Sequence, residues 1–233
     1  MRGCPASRLG VVAFVAVWLY SHIMDEDLYL AVHEGSHAVV SKVLGRTAGP
    51  VAIDRELNGG RCFWVPPLLD RSIILGFDHS LPMILWPQEV QSRFIGDVLT
   101  LMAGQAGTDQ LYRALAETPP LVRASDRISE QVIHAVENLP PVTEGEAEDI
   151  TGSFDDADTS SDADEILKIM RILHPDLQQS HVLLSAESWL RWQETVARSL
   201  VIRYADQIMA LAEILARAGT LSGAAVAALI GPT

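Results

Sequence analysis

The spacing of hydrophobic and polar positions sorts most of this chain into helices. Leu28, Leu30, Val32, Ala38, Val39, Val40 and Val43 recur at helical intervals between Asp27 and Leu44, which predicts a largely buried helix. Asp25, Glu26 and Asp27 place acids at its start, where the helix dipole favours them. Gly45 offers a stop. A longer helix is predicted from about Gln88 to Ala116, with Phe94, Ile95, Val98, Leu99, Leu101, Met102 and Leu111 as its apolar positions. Gly104 and Gly107 inside it predict a close approach to another helix. Leu121 to Leu139 reads as a further helix. Ser160-Ser161-Asp162 opens another, carried by Ile166, Leu167, Ile169, Met170 and Leu173 and stopped by His174-Pro175. One helical region is expected from about Ala186 to Arg217, and a short last helix begins near Leu221.

Between the first two helices the period changes. Val51-Ala52-Ile53 and Cys62-Phe63-Trp64-Val65 flank Asn58-Gly59-Gly60, the pattern of two short strands about a turn. Leu68 to Pro87 is apolar but interrupted by Gly76, Pro82 and Pro87, and reads as loop or short helices. The expected fold class is therefore mainly α, a helical domain over residues 25–233 with a small β-hairpin or short sheet beside the first helix. Residues 1–24 stand apart. Leu9 to Tyr20 is an apolar run of twelve residues following Arg2 and Arg8. It falls short of the roughly 20 residues of a spanning helix and has the length of a signal-peptide core. A membrane-associated helix at residues 9–20 and a helix packed on the domain are the other readings.

Composition narrows the function classes. Of 233 residues 48% are hydrophobic, enough for a sizeable core, and the formal net charge is −13. That balance argues against a nucleic-acid partner, because phosphate contacts need Lys and Arg. The acid is local: Glu144 to Glu165 holds ten Asp or Glu and no Lys or Arg. Residues 140–160 read as a flexible acidic insert. Cys4 and Cys62 follow no metal-ligand spacing and imply no disulfide framework. They fit a reducing, cytoplasmic location, with membrane association left to the N-terminal run. No phosphate-binding Gly-Lys-Thr loop is present.

The chemistry lies in His33-Glu34-Gly35-Ser36-His37. On a helix, His33 and His37 are one turn apart and project from the same face. Two such imidazoles can take two corners of a tetrahedral Zn²⁺ site. Glu34 stands where it can accept a proton from an attacking water. A catalytic zinc usually has three protein ligands. No histidine follows at the short extended spacing, so the third must come from downstream, where the pattern leaves many acids as candidates. The hairpin beside this helix reads equally as a plain structural element or as an edge that a peptide substrate joins as an added strand.

At this point the chain resembles the peptidase domain of the FtsH-type zinc proteases. Val32 to Val39 looks like that family's His-Glu-Ala-Gly-His-Ala helix, with the two small residues varied. The hairpin from Pro50 to Pro67 stands where the family has a strand pair. Leu101 to Asp109 is similar to its Gly-Gly-Arg-Ala-Ala-Glu-Glu helix. Ser161-Asp162 resembles the Ser-Asn-Asp segment whose aspartate binds zinc, and Leu211 to Leu215 with Gly219 to Gly223 resembles its C-terminal helix and Thr-Leu-x-Gly turn.

The resemblance implies a zinc metalloendopeptidase in which His33, His37 and Asp162 bind Zn²⁺, with Asp164 as the competing third ligand, and Glu34 is catalytic. A polypeptide is then the substrate. The departures matter. The family's acidic pair is here Thr108-Asp109, so one acid is missing, and Asp109 is left as a candidate support for the site. The family's ATPase module is absent from these residues, so the expected substrates are unfolded or flexible chains, unless a separate ATPase or unfoldase delivers them. The family's oligomeric assembly is carried over only as an open expectation. The alternative function is a catalytically silent zinc-binding domain with a regulatory or partner-binding role.

Overall fold

The computed structural model describes residues 26–56, 59–65, 85–115, 127–138, 161–174, 177 and 179–231. The N-terminal apolar run, the segment from Pro66 to Ile84 and the acidic insert lie outside the described residues. Within the described residues the fold is mainly α, with seven helices and one three-stranded antiparallel sheet. None of these helices is long and apolar enough to cross a membrane.

The first helix, α1, spans Glu26–Val43 and carries the histidine motif. It ends as Gly45 turns to φ 86°. Gly45 N–H then donates to Lys42 O at 2.9 Å and Arg46 N–H to Ser41 O at 3.1 Å. This paired closure satisfies two carbonyls of the last turn and needs the left-handed backbone that glycine adopts without strain. Arg46 forms a buried ion pair with Asp97.

The hairpin follows as β1, Thr47–Asp54, and β2, Gly59–Val65, with Val51 opposite Cys62 and Ile53 opposite Gly60. Their register shifts between Ala48 and Val51, around Pro50, which has no N–H to give the ladder. The far end of the hairpin is anchored by Arg55, whose Nε donates to Asp27 at 2.6 Å and Nη2 to Ala216 O at 2.8 Å. A third strand, unforeseen in the sequence, is β3 at Thr220–Leu221, paired with β1 through Val51 and Leu221. Among the described residues the central strand is thus β1, and β2 is an edge.

The remaining helices are α2 (Gln88–Leu115), α3 (Ile128–Glu137), α4 (Asp162–Leu173), α5 (Ser180–Arg203), α6 (Ala205–Ala218) and α7 (Gly223–Ile230). The single helical region expected from Ala186 to Arg217 is two helices, and it begins earlier, at Ser180. The break falls at Tyr204, φ −109° and ψ 20°, with no proline or glycine to announce it. It falls where the chain changes from one core to another. Leu190 and Ala197 of α5 are buried in one apolar cluster with α2, α3 and α4. Ile208, Leu211, Ala212 and Leu215 of α6 are buried in another, with α1, β1 and α7. Val201, near the end of α5, is already buried in this second cluster, so the break follows directly on the passage from one core to the other.

Helix α2 joins the two cores. Phe94, Val98, Leu101 and Met102 belong to the first, Ala103 and Ala106 to the second. Lys42 of α1 closes the second core by donating to Ala227 O at 3.0 Å and Gly231 O at 2.6 Å, carbonyls at the end of α7. The histidines therefore sit on a helix of one core, while Asp162 begins a helix of the other.

Candidate metal centre

Small residues bring α1 and α2 together. A methyl group on Gly104 would lie 2.5 Å from His37 Nε2 and 2.6 Å from His33 Nε2. One on Gly107 would overlap the Ser36 hydroxyl, which itself donates to Val32 O at 2.7 Å. The close approach that the two α2 glycines predict is thus present, and it lies directly against the motif. It also lets a backbone group of α2 reach the site. His37 Nδ1 is 2.7 Å from Thr100 O. A carbonyl can only accept, so Nδ1 carries the proton and Nε2 faces the site.

Across from the histidines, Asp162 is the first residue of α4, where the helix dipole favours a carboxylate. Its Oδ2 lies 3.1 Å from His33 Nε2 and 3.3 Å from His37 Nε2. The imidazole planes are nearly perpendicular, at 85°, with centroids 4.7 Å apart. Asp164 is engaged elsewhere. Its carboxylate accepts from Ser161 N–H at 3.0 Å, and its own N–H reaches Ser161 Oγ at 3.3 Å, a reciprocal cap of α4. The cap turns the run of acids at this helix start into one capping residue, Asp164, and one that faces the histidines, Asp162.

His33, His37 and Asp162 each offer a ligand atom within 4.8 Å of the others, a group that could hold a metal ion. Donors at zinc distances of about 2.0–2.2 Å and tetrahedral angles stand about 3.3–3.5 Å apart. The His–Asp separations are close to that edge. Two neutral imidazoles and a carboxylate are also a donor set that zinc accepts, so the residues present fit the ion. The Thr100 carbonyl is the outer partner that a ligating imidazole needs to hold its ring and tautomer.

Charges around the site are strongly coupled. Burial opposes the charge on His37, but Asp162, Glu34 and the Thr100 carbonyl outweigh it and push its pKa up to about 9. Burial likewise opposes ionisation of Asp162, yet His37 and His33 overcome it and hold the carboxyl well below the usual carboxylate range. Glu34 behaves differently. Burial pushes its carboxyl up; His37 and His33 pull against that rise, and Asp162 adds to it. A carboxylate raised toward neutrality is suited to exchanging a proton with substrate or water.

The Glu34 side chain packs against Gly60 of β2, where a Cβ would collide with its Cγ and carboxyl group. Sequence reasoning took Gly60 only as a turn residue and did not anticipate the Thr100 carbonyl. Cys62, also on β2, lies in the field of Glu34 and Asp162, and burial followed by those carboxylates pushes its thiol well up. Asp109, a candidate support in the sequence, pairs instead with Arg198 of α5 at 3.2 Å and is not part of the donor group.

His33 and Asp162 open into a cleft of about 400 Å³ lined by Tyr29, Leu30, Gln105, Thr108, Ile128 and Gln131, with Gly59 and Gly60 of β2 on one wall, while His37 is buried behind it. Among the described residues that line it, only His33, Glu34 and Asp162 can carry charge. No known protein-family model and no curated protein matches this chain.

Proposed function

We propose that this chain is a zinc-dependent endopeptidase of the FtsH-like kind, acting on unfolded or flexible polypeptides. The observation that carries the reading is the convergence of Asp162 on both motif histidines, 3.1 and 3.3 Å from their Nε2 atoms, beside a cleft that Glu34 also lines. Zinc held by His33, His37 and Asp162 would supply Lewis-acid activation of a water and of the scissile carbonyl.

The protein's own groups do the rest. His37 is fixed by Thr100 O, and its position is kept by the absence of a side chain at Gly104. Glu34 accepts the proton of the attacking water and returns it to the departing amine. Packing against Gly60 holds that carboxylate in place. The edge strand β2 offers backbone groups for an extended substrate segment to pair with, which gives affinity with little dependence on sequence. These 233 residues hold no phosphate-binding Gly-Lys-Thr loop. In this reading the substrate is an already unfolded chain, or one delivered by an ATPase.

The test is cleavage of a fluorescently labelled unfolded protein, without ATP, by preparations analysed for zinc. Wild type should contain one zinc per chain and cleave. Chelation should stop cleavage and zinc should restore it. Asp162→Ala should lose both metal and activity. A wild-type preparation with full zinc and no cleavage of any unfolded chain would refute the peptidase reading and leave a silent zinc-binding domain.

A further inference from the structure

A second recess lies between α5, the end of α2 and the start of α3, about 300 Å³ in volume and lined by Arg113, Arg127, Arg191, Glu194, Thr195 and Arg198. Four of the chain's 17 basic residues therefore converge on one hollow in a protein of net charge −13. Two of the four are braces of the fold. Arg191 is held by Glu130 at 2.7 Å and Glu187 at 2.8 Å, and Arg198 by Glu194 at 3.0 Å and Asp109 at 3.2 Å. The other two differ. Among the described residues, neither Arg113 nor Arg127 forms an ion pair, and both are exposed. Asp109 senses Arg113 only at longer range. Two guanidinium groups at the recess therefore have unused carboxylate-binding capacity.

The recess and the metal cleft draw on neighbouring positions of the same helices. Arg127 is followed directly by Ile128, which lines that cleft, and Gln131 lies one turn further along. On α2, Thr108 lines the cleft and Arg113 the recess, five residues or about 7–8 Å further along the helix. An extended peptide advances about 3.3 Å per residue. The rise from Thr108 to Arg113 alone equals about two to three extended residues, so a chain that runs from the cleft along this flank would bring residues about three to five from the scissile bond to the arginines.

We propose that this recess selects acidic polypeptide segments. The substrate has uncharged residues at the scissile bond, matching the uncharged cleft lining, and Asp or Glu about three to five residues away, matching Arg113 and Arg127. The proposal rests on the peptidase reading for its placement, but the recess binds by charge and does not need the reaction.

The experiment compares two fluorescein-labelled peptides with the same uncharged centre. One ends in a Glu-Glu-Asp tract and the other in Gln-Gln-Asn. Binding is read by fluorescence anisotropy on zinc-loaded Glu34→Gln protein, which leaves the peptides intact, and cleavage is read with wild type. The acidic peptide should bind about five- to tenfold more tightly at low salt. The advantage should vanish in about 0.5 M salt. It should fall to about one in Arg113→Gln/Arg127→Gln and survive in Arg113→Lys/Arg127→Lys. Equal binding of the two peptides, or an acid preference that persists in the Gln pair, would overturn the recess. Failure of wild type to cleave either peptide would count against the peptidase reading alone, because the anisotropy comparison decides the recess without it.

Discussion

Gly104 of α2 lies against His37 of α1 so closely that a methyl group there would stand 2.5 Å from the imidazole Nε2. In a helix interior, alanine is ordinarily favoured over glycine by about 0.5–1 kcal/mol. Here the preference is reversed by the site. Gly104→Ala should leave the helical content of the protein intact while lowering zinc affinity by about tenfold or more, as changes that displace a ligand commonly do. Circular dichroism and zinc titration check both halves. Unchanged zinc affinity would mean that α1 and α2 do not meet as described.

Gly107 and Ser36 form the neighbouring contact, one turn further along α2 and next to His37 on α1. Gly107→Ala should destabilise the protein by about 1–3 kcal/mol, the usual cost of overpacking a close contact. Ser36→Gly, which removes the obstructing side chain, should recover most of that loss when combined with it. Urea denaturation of the two single variants and the pair measures the coupling.

The pH response of metal-free protein follows from His37 and Asp162. The pKa of His37 is raised from 6.5 to about 9 in the folded state. Its contribution to stability is fully present below pH 6.5 and is lost as pH rises through about 9. Asp162 is depressed, so its contribution is present above its ordinary pKa of 3.8 and is lost in stronger acid. Metal-free protein should therefore lose on the order of 3 kcal/mol between pH 6.5 and 9, and Asp162→Asn should flatten that slope. Zinc binding at neutral pH should release about one proton from His37, read by calorimetry in buffers of different ionisation enthalpy.

Arg46 and Asp97 are paired in the interior, with the Asp97 side chain only 1% exposed and Arg93 also near it, at 3.4 Å. Arg46→Met should cost about 3–5 kcal/mol by leaving a buried carboxylate without its main counter-charge. Arg46→Met/Asp97→Leu should be markedly more stable than the single variant. Thermal unfolding of the three proteins settles the order.

Much of this architecture was legible because local signals agreed. The apolar period marked α1 and α2, Gly59-Gly60 marked the hairpin, and the Ser161 cap marked the start of α4. The small residues Gly104 and Gly107 correctly announced a close helix contact, though not its partner. What was illegible depends on contacts distant in sequence. Nothing local distinguishes Tyr204 as a break, which follows the passage of the chain from one core to the other. Strand β3 is only two residues long and exists because β1 pairs with it. Thr100 acts through its carbonyl, which carries no side-chain signature. Asp162 and Asp164 were inseparable by pattern, because only the folded cap shows which of them faces away from Ser161.

The most direct test of the account compares zinc-loaded wild type with zinc-loaded Glu34→Gln at equal metal content, on one unfolded polypeptide. The account predicts one zinc per chain in both proteins and a loss of about 10²–10⁴-fold in cleavage rate in the variant, the scale of a lost general base. Equal cleavage by the two would contradict it, because proton transfer by Glu34 would then have no part in the reaction.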